Sequence, residues 1–118
     1  MLTKSTEQVL NHHLQSFGAG DLKEILLDYT DESDLITADG VLRGPGQLPS
    51  FFEPMFAEFA KPGASFTMGE TVIDGETAFI TWSAETADNV YELGSDTFRI
   101  RDGKIISQTF VVKATAKS

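Results

Sequence analysis

The sequence predicts an α+β fold in which helices cover one face of a curved antiparallel sheet. Two observations carry this. Apolar residues recur at helical spacing in three segments of the N-terminal half, whereas Glu76 to Thr115 reads as three strand-like runs joined by turns. The last of those turns is Asp102-Gly103, a dipeptide that accepts positive φ at low cost and favours a type I′ hairpin. Helices gathered before a run of antiparallel strands pack on one side of the sheet those strands build.

Taken in order, Ser5 and Gln8 form a capping-box pattern, and Val9, Leu10, Leu14 and Phe17 give the first helix its apolar side, from about Thr6 to Phe17. Gly18 and Gly20 can take the left-handed conformation that ends it. Asp21 with Glu24 repeats the capping pattern for a short second helix carrying Leu22, Ile25, Leu26 and Tyr29. A polar break, Thr30 to Asp34, precedes a small hairpin, Leu35-Ile36-Thr37 returning through Asp39-Gly40 to Val41-Leu42-Arg43. Ser50 and Glu53 suggest a third cap, for a helix bearing Phe51, Phe52, Met55, Phe56 and Phe59 that Lys61-Pro62-Gly63 stops. Pro54 falls near its first turn, where few intrahelical bonds are lost. Ala64 to Ile73 alternates as a strand, Asp74-Gly75 turns it into the run TAFITWSAETA, and Asp88-Asn89 links that run to the next. Gly94, inside a strand, is a bulge candidate that would add curvature. The sheet then wraps the helices and leaves a cavity at its open end. Ala116 to Ser118 reads as a frayed tail.

The 118 residues fit one domain, residues 1–118, with a core that needs no disulfide. Cysteine is absent, which excludes thiolate nucleophiles and thiolate metal sites and fits a reducing compartment; the cytoplasm is expected. The N-terminal MLTKSTEQVL has no apolar core like that of a signal peptide, and no run approaches membrane-spanning length. A net charge of −9 disfavours nucleic acid and anionic membranes as partners. Adjacent His12 and His13 diverge by about 100° on a helix and make no metal site.

Three strings resemble the superfamily of ketosteroid isomerase, nuclear transport factor 2 and the SnoaL-like polyketide cyclases: FGAGDLKEILLDYTDES, the DGVLRG hairpin and DTFRIRDGKIISQ. The resemblance covers nearly the whole chain. It implies a cystatin-like cone of antiparallel strands with three helices on the concave face. It implies no single activity, since this superfamily holds isomerases, dehydratases, cyclases, epoxide hydrolases and members that only bind or dimerise. From the Gly-Asp-Leu anchor, the isomerase's oxyanion-donating Tyr falls on His13 and its general-base Asp on Thr37. From the Asp-Gly-Lys-Ile anchor, the second donor, a protonated Asp, falls on Asp96. Asp34 and Asp39 are the nearby carboxylates able to stand in for the missing base. The carboxylate that the epoxide hydrolases carry on the last strand has no counterpart between Lys104 and Lys113.

His13 lies on the apolar stripe of the first helix, between Val9 and Phe17, either as a core histidine satisfied by one hydrogen bond or as a pocket acid, base or donor. Asp96 alternates with Phe98 and Ile100, so its carboxylate is solvated near a bulge at Gly94, or protonated in an apolar pocket, or paired with a charged His13. The two buried alternatives shift its pKa in opposite directions. The phenylalanines of the third helix, Phe52 and Phe56 among them, are core, part of which lines an apolar cavity together with Phe17. Strand pairing as in the family would turn Phe79, Thr81 and Ser83 into that cavity beside Asp96 and Phe98, with Gln108, Phe110 and Val112 from the last strand. Trp82 would then face outward, where an aromatic marks an interface, and a homodimer through the outer sheet face is expected.

These readings converge on a small SnoaL-like protein that binds an apolar, carbonyl-bearing molecule and isomerises, cyclises or dehydrates it by acid–base chemistry, with His13 and Asp96 as the polar pair. No cofactor is expected, because such chemistry needs only positioned donors and acceptors. The alternative is a non-catalytic ligand-binding, dimerisation or interaction module.

Overall fold

In the computed structural model, which describes residues 4–117, three helices and six strands follow one another as α1 (Thr6–Ala19), α2 (Leu22–Leu26), β1 (Tyr29–Thr37), β2 (Gly40–Arg43), α3 (Pro49–Ala60), β3 (Ser65–Asp74), β4 (Thr77–Glu85), β5 (Asn89–Arg101) and β6 (Lys104–Ala116). The strands form one curved, unclosed sheet in the order β2-β1-β6-β5-β4-β3. Every pairing is antiparallel except β1 with β6. That one parallel pair arises because β1 and β6 are joined through α3 and the whole meander, a connection long enough to return in the same direction.

The local signals explain the elements. Ser5 Oγ accepts from the Gln8 N–H while Gln8 Oε1 accepts from the Ser5 N–H, closing the capping box of α1, and Gly20 at φ 64° ends the helix. Asp102 at φ 53° and Gly103 at φ 77° make the tight β5–β6 turn. The Ser50 cap does not form: Pro49 is the first helical residue, Leu48 precedes it without a side-chain cap, and the Ser50 hydroxyl donates to Gln47 O at 2.7 Å. The polar stretch Thr30 to Asp34 is no break but part of β1, its Ser33 hydroxyl donating to Ile105 O at 2.5 Å. Ala116 is the last residue of β6, opposite Asn89, and the Lys117 N–H donates to Asp88 O; it is not frayed, and Ser118 lies outside the described residues, as do Met1 to Thr3.

The core lies between the helices and the concave face, where Val9, Leu10, Ile25, Phe52, Phe98 and Ile105 are buried. Each such side chain contributes about 1.5–3 kcal/mol through the apolar area it hides. Two polar clusters fasten the helices. Glu58 Oε2 of α3 accepts from Thr86 Oγ1, Asn89 Nδ2 and Tyr91 Oη at 2.6–2.8 Å; burial alone would raise its pKa, but these three donors outweigh it and lower it. At the α1–α2 corner His12 lies between Glu24 and Asp28, at 2.8 and 2.6 Å, and the two carboxylates raise its pKa. Among the described residues no helix is long and apolar enough to cross a membrane.

Candidate functional site

Five side chains, His13 of α1 and four beneath it, form a buried polar chain. Asp96, on the concave face of β5, accepts from Trp82 Nε1 at Oδ1 and from Gln108 Nε2 at Oδ2, both at 2.9 Å. Gln108 Oε1 accepts from the Tyr29 hydroxyl, whose oxygen lies 3.5 Å from His13 Nδ1. Strand pairing produces this row: Asp96 stands opposite Phe110, Phe98 opposite Gln108 and Gln108 beside Leu35, while α1 lowers His13 onto Phe98 with ring centroids 5.0 Å apart. Asp96 is only 6% exposed, and burial pushes its carboxyl up to about 6 against the lowering effect of its two N–H donors. Burial, with the neighbouring His12, pushes His13 down to about 3, so its ring is neutral at physiological pH.

Above Asp96 lies an inner cavity of about 30 Å³, room for a water-sized group, lined by His13, Phe52, Trp82, Asp96, Gln108 and Phe110 among others. A larger groove of about 500 Å³ opens between α1, the end of α3 and β3. Leu14, Phe17 and Phe66 border both spaces, so they form the neck between them. Phe66 stacks on Trp82 with centroids 5.3 Å apart yet is 42% exposed, because edge strand β3 has no neighbour beyond it.

A family model described as the SnoaL-like domain matches residues 10–108. The chain belongs to the SnoaL-like domain family. No curated protein matches it in sequence. Its fold is shared by an epoxide hydrolase/cyclase-like enzyme, SalBIII, of pyran ring formation in the polyether salinomycin, at 14% identity and TM-score 0.78 over 95% of each chain. It is shared too by an NTF2-like protein of Cytophaga hutchinsonii, at 10% identity and TM-score 0.73 over 96% of this chain and 95% of that one. TerC, co-crystallised with polyporic acid, matches at 12% identity and TM-score 0.73, over 92% of this chain and 91% of that one. These identities speak for the fold of the SnoaL-like domain, ketosteroid isomerase-like and NTF2-like.

Against that fold the sequence-predicted residues divide. His13, Asp96, Phe17, Phe52, Gln108 and Phe110 all line the inner cavity. Phe98 and Phe56 lie one layer behind it, Phe98 under the His13 ring and Phe56 stacked on Phe52 at 5.9 Å. Phe79, Thr81 and Ser83 do not face the cavity: Ile80 pairs with Asp96 and Trp82 with Gly94, and directly opposed residues share a face, so the odd-numbered side chains of β4 point outward. Trp82 therefore faces inward, 6% exposed, and cannot form an outer-face dimer contact. Thr37 sits at the end of β1, opposite Gly40, its hydroxyl oxygen accepting from the Asp39 N–H, away from the cavity. Asp34 is turned to the convex side, where it accepts from Ser107 Oγ and lies 3.7 Å from Arg43, and Asp39 is exposed. His13 and Asp96 make no direct pair, being linked only through Tyr29 and Gln108.

The sequence reading missed Tyr29, placed on the second helix although it opens β1 and joins His13 to Gln108, and the neck residues Leu14 and Phe66. One signal for Trp82 was present: Gly94 carries no side chain because the indole occupies that space, and a Cβ built there would fall on the ring.

Proposed function

We propose that the protein binds a small, largely apolar, carbonyl-bearing molecule in the groove between α1 and β3 and moves a proton on it with Asp96, as an isomerase, cyclase or dehydratase. One observation carries this reading: a carboxyl whose pKa is about 6 forms the floor of an apolar cavity. A general base works best when its pKa lies near the working pH and its surroundings exclude water. The outer groove has the volume of a small-molecule site. SalBIII, described as an epoxide hydrolase/cyclase-like enzyme, lends the cyclase option support. His13 orients the ligand as a neutral ring, and no cofactor is required. The absence of cysteine suits a cytoplasmic setting. The protein assembles as a homodimer through the convex face of the sheet.

Hydrogen–deuterium exchange of enolisable ketones in D2O, followed by NMR, tests the proton transfer. The wild type should exchange the α-hydrogens at a rate that rises with pH through about 6, as Asp96 becomes the free base. Asp96→Asn should slow exchange at least about 100-fold while preserving the circular dichroism spectrum. Ligands that quench the single tryptophan, Trp82, without any exchange in the wild type would refute catalysis. They would favour the second reading, a non-catalytic binding module, for which the small volume above Asp96, about 30 Å³, speaks.

A further inference from the structure

The cavity around Asp96 offers an incoming group acceptors and almost no donors. With the carboxylate ionised, Gln108 must turn its amide N–H to Asp96 and its carbonyl to Tyr29. Tyr29 spends its only hydrogen on that carbonyl, so in the contact with His13 the ring Nδ1 carries the hydrogen and Nε2 keeps a lone pair. Trp82 Nε1 is committed to Oδ1. What stays open is the remaining lone-pair capacity of each Asp96 oxygen and of His13 Nε2; the one uncommitted hydrogen is the second on the Gln108 amide. Among the described residues no Lys or Arg lines either the inner cavity or the outer groove. The titratable groups in the chain with Asp96 are His13 from α1 and Tyr29 from β1, and α3 adds Phe51, Phe52 and Met55, so nothing cationic offsets the buried charge.

A carboxylate, or the oxygen of a carbonyl or enolate pointed at Asp96, meets lone pairs here. A protonated nitrogen brings several N–H donors and the missing positive charge, and the aromatic rings of Phe52, Phe66, Trp82 and Phe110 line the space it would enter. The dimensions agree: an ammonium head is water-sized, matching the 30 Å³ inner cavity, and the 500 Å³ groove beyond the neck takes an apolar body. The net charge of −9 raises the local concentration of cations over anions. We propose that the ligand of this pocket carries a protonated amine or iminium that seats between the Asp96 carboxylate and the surrounding aromatic rings, its apolar body lying in the outer groove. This rests on the reading of the cavity as the ligand site and adds to the carbonyl-bearing ligand of that reading a protonated nitrogen, with the carbonyl oxygen turned away from Asp96.

The test uses four probes of one shape, phenethylamine, 2-phenylethanol, phenylacetone and phenylacetate, titrated into the protein at pH 7.5 with Trp82 fluorescence and calorimetry as readouts. The ammonium should bind about tenfold or more tighter than the alcohol or ketone, the worth of one charge-assisted hydrogen bond, and phenylacetate should bind weakest. Asp96→Asn should abolish the preference. Should that variant not fold, the wild type at pH 5 serves in its place, since Asp96 is then largely protonated while phenethylamine keeps its charge, and the preference should shrink there. Equal or tighter binding of alcohol or ketone at pH 7.5 would overturn the proposal and leave the pocket reading standing. A preference that persists in Asp96→Asn or at pH 5 would overturn it also. Failure of all four probes to bind would overturn both.

Discussion

Asp96 and His13 are buried titratable groups with opposite consequences for pH. The folded Asp96 holds its proton up to about 6, above the ordinary 3.8 of an exposed carboxyl, so between those values the folded state binds more protons than the unfolded one and stability falls as pH rises. His13, lowered to about 3, binds fewer protons when folded, so its term falls as pH drops from 6.5 toward 3 and the two partly cancel in the wild type. Asp96→Asn removes the first alone. On going from pH 4.5 to pH 8 the variant should gain about 2 kcal/mol relative to the wild type in urea denaturation; a pH-independent difference would contradict the assignment. Protonation has a second effect along the chain. An Asp96 that donates requires Gln108 to turn its carbonyl toward it, Tyr29 then to accept from Gln108 and donate to His13 Nδ1, and the ring hydrogen to move to Nε2. Nitrogen-15 spectra of His13 should show a change from the Nδ1–H to the Nε2–H tautomer as pH falls through about 6, with no imidazolium until about 3. In Asp96→Asn the ring should be Nε2–H throughout, and a single tautomer under all these conditions would sink the linked-chain account.

At the level of the elements, the contact between β4 and β5 decides where the site lies. The Trp82 indole rests on Gly94, directly opposite it, and reaches Asp96 two residues farther along β5. Gly94→Ala places a methyl on the indole, so the ring must leave and its N–H bond to Asp96 goes with it. A loss of about 3 kcal/mol in stability is expected from overpacking plus an unpaired buried group, with a shift in Trp82 emission that a purely backbone effect would not produce. Unchanged emission in a folded variant would count against the contact. The same pair shows what sequence could resolve. Helices and turns were legible because each has its own local chemistry: the Ser5–Gln8 box, Gly20 and Asp102-Gly103. The facing of β4 was not, since Phe79-Thr81-Ser83 and Ile80-Trp82-Ala84 each combine an aromatic with small residues, and parity follows from a register that only the pairing with β5 sets. Register shifts beside Trp82, Tyr91 and Met68 alter the count further along each strand. Tyr29 was lost for a different reason, as its apolar spacing continues that of α2 although the chain has already turned into β1. The inward facing of His13 and Asp96 was legible because a polar residue on an otherwise apolar face stands out in either element.

For the molecule as a whole, moving Trp82 inside leaves the convex face to other apolar residues. Val72, Leu93 and Val111 are more than half exposed there, at 54%, 52% and 60%, and Ile36 and Val41 continue the face across β1 and β2. Solvated sheet faces of monomers are usually polar, and a row of this kind is what a sheet-to-sheet contact buries. Each copy carries a charge of −9, so association works against long-range repulsion that salt screens. Light scattering at micromolar concentration should therefore give twice the chain mass of 12.9 kDa, with the dimer fraction rising as salt is added. Val111→Lys places a cation in the middle of the face and should return the protein to monomer without altering the Trp82 emission, because Val111 and Trp82 lie on opposite sides of the sheet. A wild-type monomer mass at that concentration and high salt would refute assembly through this face, and a dimer untouched by Val111→Lys would place the contact elsewhere, edge strand β3 being the next surface with free backbone donors and acceptors.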